Sequence, residues 1–468
     1  MASTLEVISP ADSQPLLTRP FASHADIDAV LERSREAFRH WRRVPLQERV
    51  RLVLKFVDCF VAKKDAVAKE ITQQMGRPIR YTAGEVRGFE QRARYAAAIA
   101  ASALADYEPE EAAGAPAPLK RYIRREPVGP VLILASWNYP YLVSVNGVVP
   151  ALLAGNTVVL KQSPQTPLCA ERFADAFQEA GLPDGVFQYL HITHEAVPHA
   201  IQHPATAYVN YTGSMEGGLA VQKAAAGRFI GVGLELGGKD PAYVRSDADL
   251  EHAVEQLVDG AFFNSGQSCC GIERIYVASE VYDQFVEKFT ALAKQYKLGD
   301  PLDPEVTLGP MVRAQNADNV RAHIQDALER GAQGLVDPAL FPASKPGTPY
   351  LAPQVLVNVD HTMRVMKEET FGPVVGVMKV ASDEEAVRLM NDSSYGLTAS
   401  IWTRDTAIGE RIGDQLETGT VFTNRCDYVD PALAWTGAKD SGRGCTLSKF
   451  GFDALTRPKS YNINVGPQ

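Results

Sequence analysis

The chain has 468 residues, 45% hydrophobic and 22% charged, an ordinary globular balance for two or three domains with large cores. Its formal net charge of −9 speaks against a nucleic-acid binder, which presents a basic face, and against docking on an anionic membrane. Six scattered cysteines, no CxxC or HExxH spacing and no basic or apolar leader in Met1–Pro10 point to a reduced, cytoplasmic enzyme without a metal site.

The prolines at 10, 15 and 20 predict an irregular start. From Ala25 to about Leu104 apolar residues recur three and four apart, as in DIDAVLERSREAFRHW, which predicts helices. Tyr107–Pro118 reads as a loop. Val131–Ala135 is a short apolar run of the kind a buried parallel strand needs. A helix over Tyr141–Leu153 and a strand over Thr157–Lys161 follow. The most apolar stretch, Leu142–Leu160, is broken by Asn146, Pro150, Gly155 and Asn156, so it is not read as a membrane span. Next come a helix over Pro167–Ala180, with Thr166 as its cap and Gly181 as its stop, and strands at Gly185–Leu190, Tyr208–Tyr211 and Phe229–Leu236. A second alternation begins after Gly238, with helices Asp249–Phe263 and Val281–Tyr296 around a strand Arg274–Ala278. The expected fold class is α/β, with two doubly wound parallel-sheet domains.

Six segments in this frame carry residues suited to chemistry. In Phe262-Phe263-Asn264-Ser265-Gly266-Gln267-Ser268-Cys269-Cys270 a cysteine follows a Gly-Gln turn. A thiolate there is a nucleophile once its pKa is lowered, although a small buried hydrophobe is the commoner fate of a free cysteine. Glu235, in Leu234-Glu235-Leu236-Gly237-Gly238-Lys239, ends an apolar strand, where desolvation suits a general base. A solvated strand-end carboxylate is the plainer reading. Asn138, after Trp137 and before Tyr139-Pro140, offers an amide to an oxyanion or a cap to the next helix. Gly213-Ser214-Met215-Glu216-Gly217-Gly218 opens a helix whose free N–H groups favour phosphate, without the GxGxxG spacing. Lys161, ahead of Gln162-Ser163-Pro164, is placed to meet a ribose or phosphate, or simply snorkels. Glu368-Glu369-Thr370-Phe371-Gly372-Pro373 offers a carboxylate for ribose hydroxyls and a ring for nicotinamide, or is a charged surface turn.

Together, in this order and at these separations, the segments resemble the aldehyde dehydrogenase superfamily over about residues 25–465. The most specific pair is ELGGK and GQSC. The resemblance implies that Cys269 is the nucleophile, with Cys270 a bystander. It implies that Asn138 and the Cys269 N–H hold the oxyanion, and that Glu235 activates the water that hydrolyses a thioester. Trp137, Lys161, Ser163, Pro164, Gly213, Ser214, Gly218, Leu236, Gly237, Glu369 and Phe371 would contact NAD or NADP, and Asn424 would lie near the substrate channel. The implied reaction oxidises an aldehyde to a carboxylic acid. Transfer of the thioester to coenzyme A is the alternative, disfavoured by Glu235, and a silent binding homologue is disfavoured by the full set Asn138, Glu235 and Cys269.

The sequence departs from the family pattern in places. Pro164 stands where many members carry a Glu that accepts the adenosine 2′-hydroxyl, so both cofactors are expected to bind. Gly147 replaces a Lys, the segment Ala434–Gly442 replaces a Pro-Phe-Gly-Gly start, and Arg457 replaces a second Glu. Tyr139, Tyr141, Val143, Phe263 and Trp435 are expected to line an apolar tunnel. Arg425 and Arg457 are read as surface ion-pairing residues rather than carboxylate ligands. Lys120–Glu126 and Lys459–Val465 alternate like exposed edge strands. In the family such segments form a protruding sheet that joins subunits, so a homodimer or homotetramer is expected. The domain boundaries expected are 1–108 with 128–237 for the dinucleotide, 238–450 for catalysis, and 109–127 with 451–468 for oligomerisation.

Overall fold

The start of the chain, expected to be irregular, forms an antiparallel hairpin of β1 (Thr4–Ile8) and β2 (Pro15–Pro20). Leu5 and Val7 alternate inward and are buried. Pro15 and Pro20 terminate an edge strand, where a missing N–H costs no ladder bond. The structure is a computed structural model that describes residues 4–110 and 119–466. Most of the expected 107–118 loop therefore lies outside the described residues.

The long helical stretch divides into α1 (His24–Trp41), α2 (Leu46–Val61), α3 (Lys64–Met75) and α4 (Ile79–Ala103). Ser23 and Asp26 cap α1 reciprocally, each side chain accepting from the other's backbone N–H. Gly76, at φ 85°, ends α3, and Pro45 and Pro78 stand just before α2 and α4. Phe56 and Phe60 of α2 and Phe89 of α4 are fully buried against a first parallel sheet and its helices. After β3 (Leu119–Pro127), that sheet and its helices run β4 (Val131–Ala135), α5 (Pro140–Ala154), β5 (Val158–Gln162), α6 (Leu168–Ala180), β6 (Phe187–Tyr189), α7 (Val197–Gln202), β7 (Tyr208–Thr212), α8 (Met215–Ala225) and β8 (Gly231–Glu235).

Both faces of this sheet are covered, which is why β4 reads as a continuous apolar run. Val131, Ile133 and Ala135 pack with Phe56, Val148 and Phe173 on one side, while Leu132 and Leu134 pack with Ile27, Val159 and Val221 on the other. Gly181, at φ 82°, stops α6 as expected. Thr166 does not cap it. Pro167 takes that position, and the Thr166 hydroxyl accepts from the Gln162 amide at 3.1 Å.

A second sheet and its helices follow. They comprise β9 (Asp240–Val244), α9 (Leu250–Phe262), β10 (Ile272–Ala278), α10 (Tyr282–Ala293), α11 (Ala314–Glu329), β11 (Gln333–Gly334), β12 (Gln354–Val357), α12 (Arg364–Lys367), β13 (Val374–Val380), α13 (Asp383–Asn391), β14 (Tyr395–Gly396), β15 (Thr398–Trp402), α14 (Thr406–Gly413) and β16 (Thr420–Thr423). Seven strands pair in the order β11-β12-β13-β10-β9-β15-β16, parallel except β11. The chain then makes β17 (Ala438–Lys439), which pairs with β14, and β18 (Gly442–Arg443). β18 returns to the first sheet, antiparallel to β8, completing the order β18-β8-β7-β4-β5-β6.

The last strand, β19 (Thr456–Asn464), pairs antiparallel with β3 along nine residues. The two segments expected to be exposed edges thus cover one another. The Tyr122 and Tyr461 rings stack at 4.5 Å, and the Arg124 guanidinium lies over both.

Candidate active site

The loop between α9 and β10 begins with two left-handed residues, Asn264 at φ 53° and Ser265 at φ 57°. Such backbone persists only where its surroundings hold it. Here Ser265 Oγ donates to the Gly309 carbonyl at 2.8 Å, and Asn264 Nδ2 donates to the Gln267 carbonyl at 3.2 Å. Gln267 Oε1 accepts the Val312 N–H at 2.8 Å, and its Nε2 donates to the Asn264 carbonyl at 3.0 Å. The lashed loop presents Cys269 half-exposed and leaves Cys270 buried. The Cys270 Sγ lies 2.9 Å from Asp427 Oδ1. Its hydrogen bond with Cys269, burial and the Asp427 charge hold that thiol well above the usual range. Cys269 is the more accessible of the two thiols.

Asn138 follows β4 and is buried. Ser136 Oγ donates to its Oδ1 at 2.8 Å, which fixes the amide orientation, and its Nδ2 donates to the Gln267 carbonyl at 3.2 Å, two residues before Cys269. One amide proton is left to point elsewhere. The Asn138 carbonyl accepts from Arg77 Nη2 and from Asn264 Nδ2. Arg77 also donates to Asn264 Oδ1 at 3.0 Å and pairs with Glu85 at 2.5 Å, both groups being buried. Glu85 in turn accepts the Tyr141 N–H at the start of α5. One guanidinium so ties the amide loop to the cysteine loop.

Glu235 ends β8. Its carboxylate accepts from Thr212 Oγ1 at 3.0 Å and from Thr446 Oγ1, and burial raises its pKa above the ordinary carboxylate range. The two glycines that follow are required by what lies against them. A Cβ on Gly238 would stand 2.5 Å from the Cys269 carbonyl oxygen, and one on Gly237 would stand 2.2 Å from the Glu369 carboxylate. The ELGGK and GQSC segments thus pack backbone to backbone, and the Glu369 carboxylate of EETFGP lies against the Gly237 backbone. Lys239, buried, joins them further by pairing with Glu273, whose carboxylate accepts the Thr370 and Phe371 N–H groups at 2.8 Å.

The carboxyl ends of β4, β5 and β7 open on a cleft of about 530 Å³ lined by Trp137, Lys161, Ser163, Pro164, Gly213 and Ser214, among others. This is where a doubly wound sheet takes a dinucleotide. The N-terminus of α8 opens on it, with Ser214 capping Gly217 at 3.2 Å. Gly213 and Gly217 have no room for a Cβ beside the Tyr211 hydroxyl. Lys161, buried, has no hydrogen-bond or ion-pair partner among the described residues, and burial lowers its pKa to about 8. His194 and Arg313, both exposed, line the same cleft. At the other end, Trp137 meets Phe371 edge to face at 5.7 Å. Glu369 accepts the Gly238 N–H at 3.1 Å, and burial together with the Glu273 charge pushes its carboxyl up to about 8. Buried Gly218 packs on buried Leu236. The free cation, the helix terminus and the bare glycine surfaces fit a phosphate-bearing dinucleotide.

One expectation on the substrate side is corrected, that for Tyr141. Asn424, at φ 55°, exchanges two hydrogen bonds with the Thr403 backbone, at 2.9 and 2.8 Å. Tyr141 is fully buried between Phe60 and Phe173, on the core side of α5. Trp435, in contrast, packs in one apolar cluster with Cys270 and Leu447, against Cys269. Arg425 lies over the Tyr428 ring at 3.4 Å, and Arg457 pairs with Glu126 at 3.8 Å, both exposed. Sequence reasoning did not find Arg77, Glu85, Thr212, Glu273 or Thr446. Only Lys239, a charge beside two glycines after an apolar strand, left a trace that could have been followed.

A sequence profile of the Aldehyde dehydrogenase family matches residues 1–461. The chain is 34% identical over 461 residues to Succinate-semialdehyde dehydrogenase [NADP(+)] 1 of Mycobacterium tuberculosis, covering 98% of this chain and 99% of that protein. Its structure matches that of an NADP-dependent glyceraldehyde-3-phosphate dehydrogenase from Bacillus halodurans in complex with NADP, with TM-score 0.93, 32% identity, and 99% and 96% of the two chains covered. It also matches betaine aldehyde dehydrogenase from Staphylococcus aureus in complex with NAD+, with TM-score 0.92, 28% identity, and 99% and 92% covered.

Proposed function

Because the chain belongs to the aldehyde dehydrogenase family, whose members oxidise aldehydes to carboxylic acids with NAD or NADP, we propose that Cys269, Asn138 and Glu235 carry this reaction here. The observation that supports it most is the meeting of three distant segments at one thiol. The Asn138 amide bonds the Gln267 carbonyl, and the Gly238 that follows Glu235 in the same turn lies against the Cys269 carbonyl.

Cys269 Sγ adds to the aldehyde carbon. The carbonyl oxygen gains the negative charge and is met by the remaining Asn138 amide proton and the Cys269 N–H. A bound NAD or NADP supplies the hydride acceptor. The resulting thioester on Cys269 is hydrolysed by a water that Glu235 deprotonates. A carboxyl raised by burial is closer to neutrality and so a better base at working pH. Thr212 and Thr446 hold that carboxylate in place, and the lashed Asn264–Gln267 turn fixes the thiol without motion at the moment of attack. A hydrolytic base beside the thioester favours release as the acid over transfer to coenzyme A.

Lys161, Ser163 and Pro164 at the adenosine end, with Arg313 at the rim, put two cations on the cleft, and Glu216 is the one carboxylate that lines it among the described residues. This favours NADP being used at least as well as NAD. Residues 1–108 and 128–237 would bind the dinucleotide and 238–450 would supply the thiol. The β3–β19 arm, in segments 109–127 and 451–468, would join subunits of a cytoplasmic dimer or tetramer.

The test is Glu235→Gln, whose amide cannot take a proton. The first turnover should remain, steady-state turnover should fall about 10²–10⁴-fold, and mass spectrometry should find the acyl group on the Cys269 peptide. In the wild type the slow step should quicken as pH rises through the raised Glu235 pKa. An acyl group on another residue, or unimpaired turnover, would overturn the assignment.

A further inference from the structure

Helices α4 and α5 run close together because Gly88 lets them: a Cβ there would stand 2.9 Å from Leu142 Cδ2. One turn on, in step along both helices, Arg92 reaches Asn146. Its Nη1 donates to Asn146 Oδ1 and to the Leu142 carbonyl, each at 3.1 Å. The guanidinium has five N–H donors in a fixed fork, and among the described residues no carboxylate pairs with it and no acceptor meets its Nε or Nη2. Asn146 is 6% exposed. Its oxygen is turned to Arg92, and its Nδ2 likewise has no acceptor among the described residues. Arg92 is partly exposed, so these free donors reach solvent rather than being sealed in, and an anion can take them.

The Arg92–Asn146 pair is joined to the reacting thiol through Leu447. Arg92, Asn146 and Leu447 line one small cavity, and Leu447 belongs to the apolar cluster that packs Trp435 and Cys270 against Cys269. Burial lowers the Arg92 pKa, and the nearby Glu235, Cys270, Glu85 and Cys269 oppose that. The cation is thus within electrostatic reach of both the thiol and the base. The arginines at 425 and 457 are on the surface and cannot serve. We propose that Arg92, with Asn146 beside it, docks a carboxylate on the far end of the aldehyde, so that this enzyme selects short aldehydes bearing an ω-carboxylate. The inference rests on Cys269 being the nucleophile.

Two four-carbon probes differ by that group alone, succinic semialdehyde and butanal. For the wild-type holoenzyme kcat/KM should favour the semialdehyde by at least about tenfold. In Arg92→Gln the ratio of the two kcat/KM values should fall about thirtyfold, mid-range for a hydrogen bond to a charge, and the fall should sit in KM. Arg92→Lys, which keeps the charge but not the fork, should recover part of it. Succinate should slow alkylation of Cys269 by iodoacetamide in the wild type and not in Arg92→Gln. A ratio that Arg92→Gln leaves unchanged, with both aldehydes slowed alike, would mean that Arg92 serves the thiol and base instead, and would overturn the proposal. A wild type that turns over butanal as well as the semialdehyde would overturn it too, while leaving Cys269 in place. Turnover of neither aldehyde would sink the underlying reading as well.

Discussion

The two ends of the cleft are built on opposite principles. Around Cys269 nearly every polar group is spoken for: Asn138, Asn264, Gln267, Arg77 and Glu235 each have protein partners. At the adenosine end Lys161 is buried with no partner among the described residues. A reacting centre gains from donors that need not reorganise during the chemical step. A binding end gains from groups whose partner is the ligand itself. Saturation marks where geometry matters, and an unmet charge marks where something docks.

The sharpest way to break this contrast is at the thiol. Cys269→Ala should cut kcat on the order of 10⁴-fold or more, because the covalent route disappears. Turnover within tenfold of wild type would show that the lashed loop presents nothing. Next, Asn138→Ala should lower kcat about 10²–10³-fold with little change in the KM for the aldehyde, as expected for a donor that acts on developing charge. A loss confined to KM would instead make Asn138 a ground-state contact. The smallest effect belongs to the open end. Lys161→Met should lower kcat/KM for NADP about tenfold to a hundredfold, the range for a charged hydrogen bond, and spare NAD. Because burial sets the Lys161 pKa at about 8, the cation is present below that value. The wild-type advantage with NADP should therefore fade as pH rises through 8. A preference for NAD of about a thousandfold, some 4 kcal/mol, would contradict a cationic adenosine end.

Much of the first sheet was legible because its strands are buried on both faces and read as unbroken apolar runs, Val131–Ala135 above all. The prolines at 15 and 20 misled, since an edge strand tolerates them at its ends. Tyr141 looked like a tunnel wall because one face of α5 cannot be told from the other by hydrophobicity alone. The supporting groups were the least visible. Thr446 meets Glu235 across 211 residues, and Arg77 meets the Asn138 carbonyl across 61, with α4, β3 and β4 lying between. No local pattern marks a side chain whose purpose is to hold another.

The pairing of β18 with β8 has a consequence for biosynthesis. Glu235 sits on a strand whose outer neighbour, Gly442–Arg443, is translated about two hundred residues later. Until that stretch leaves the ribosome, the strand bearing Glu235 has an open edge, and Thr446 is not there to bond its carboxylate. Pairings this distant in sequence close slowly and expose unpaired edges meanwhile. The nascent polypeptide therefore carries that open edge, and the aggregation risk that goes with it, until residues 442–446 have been made.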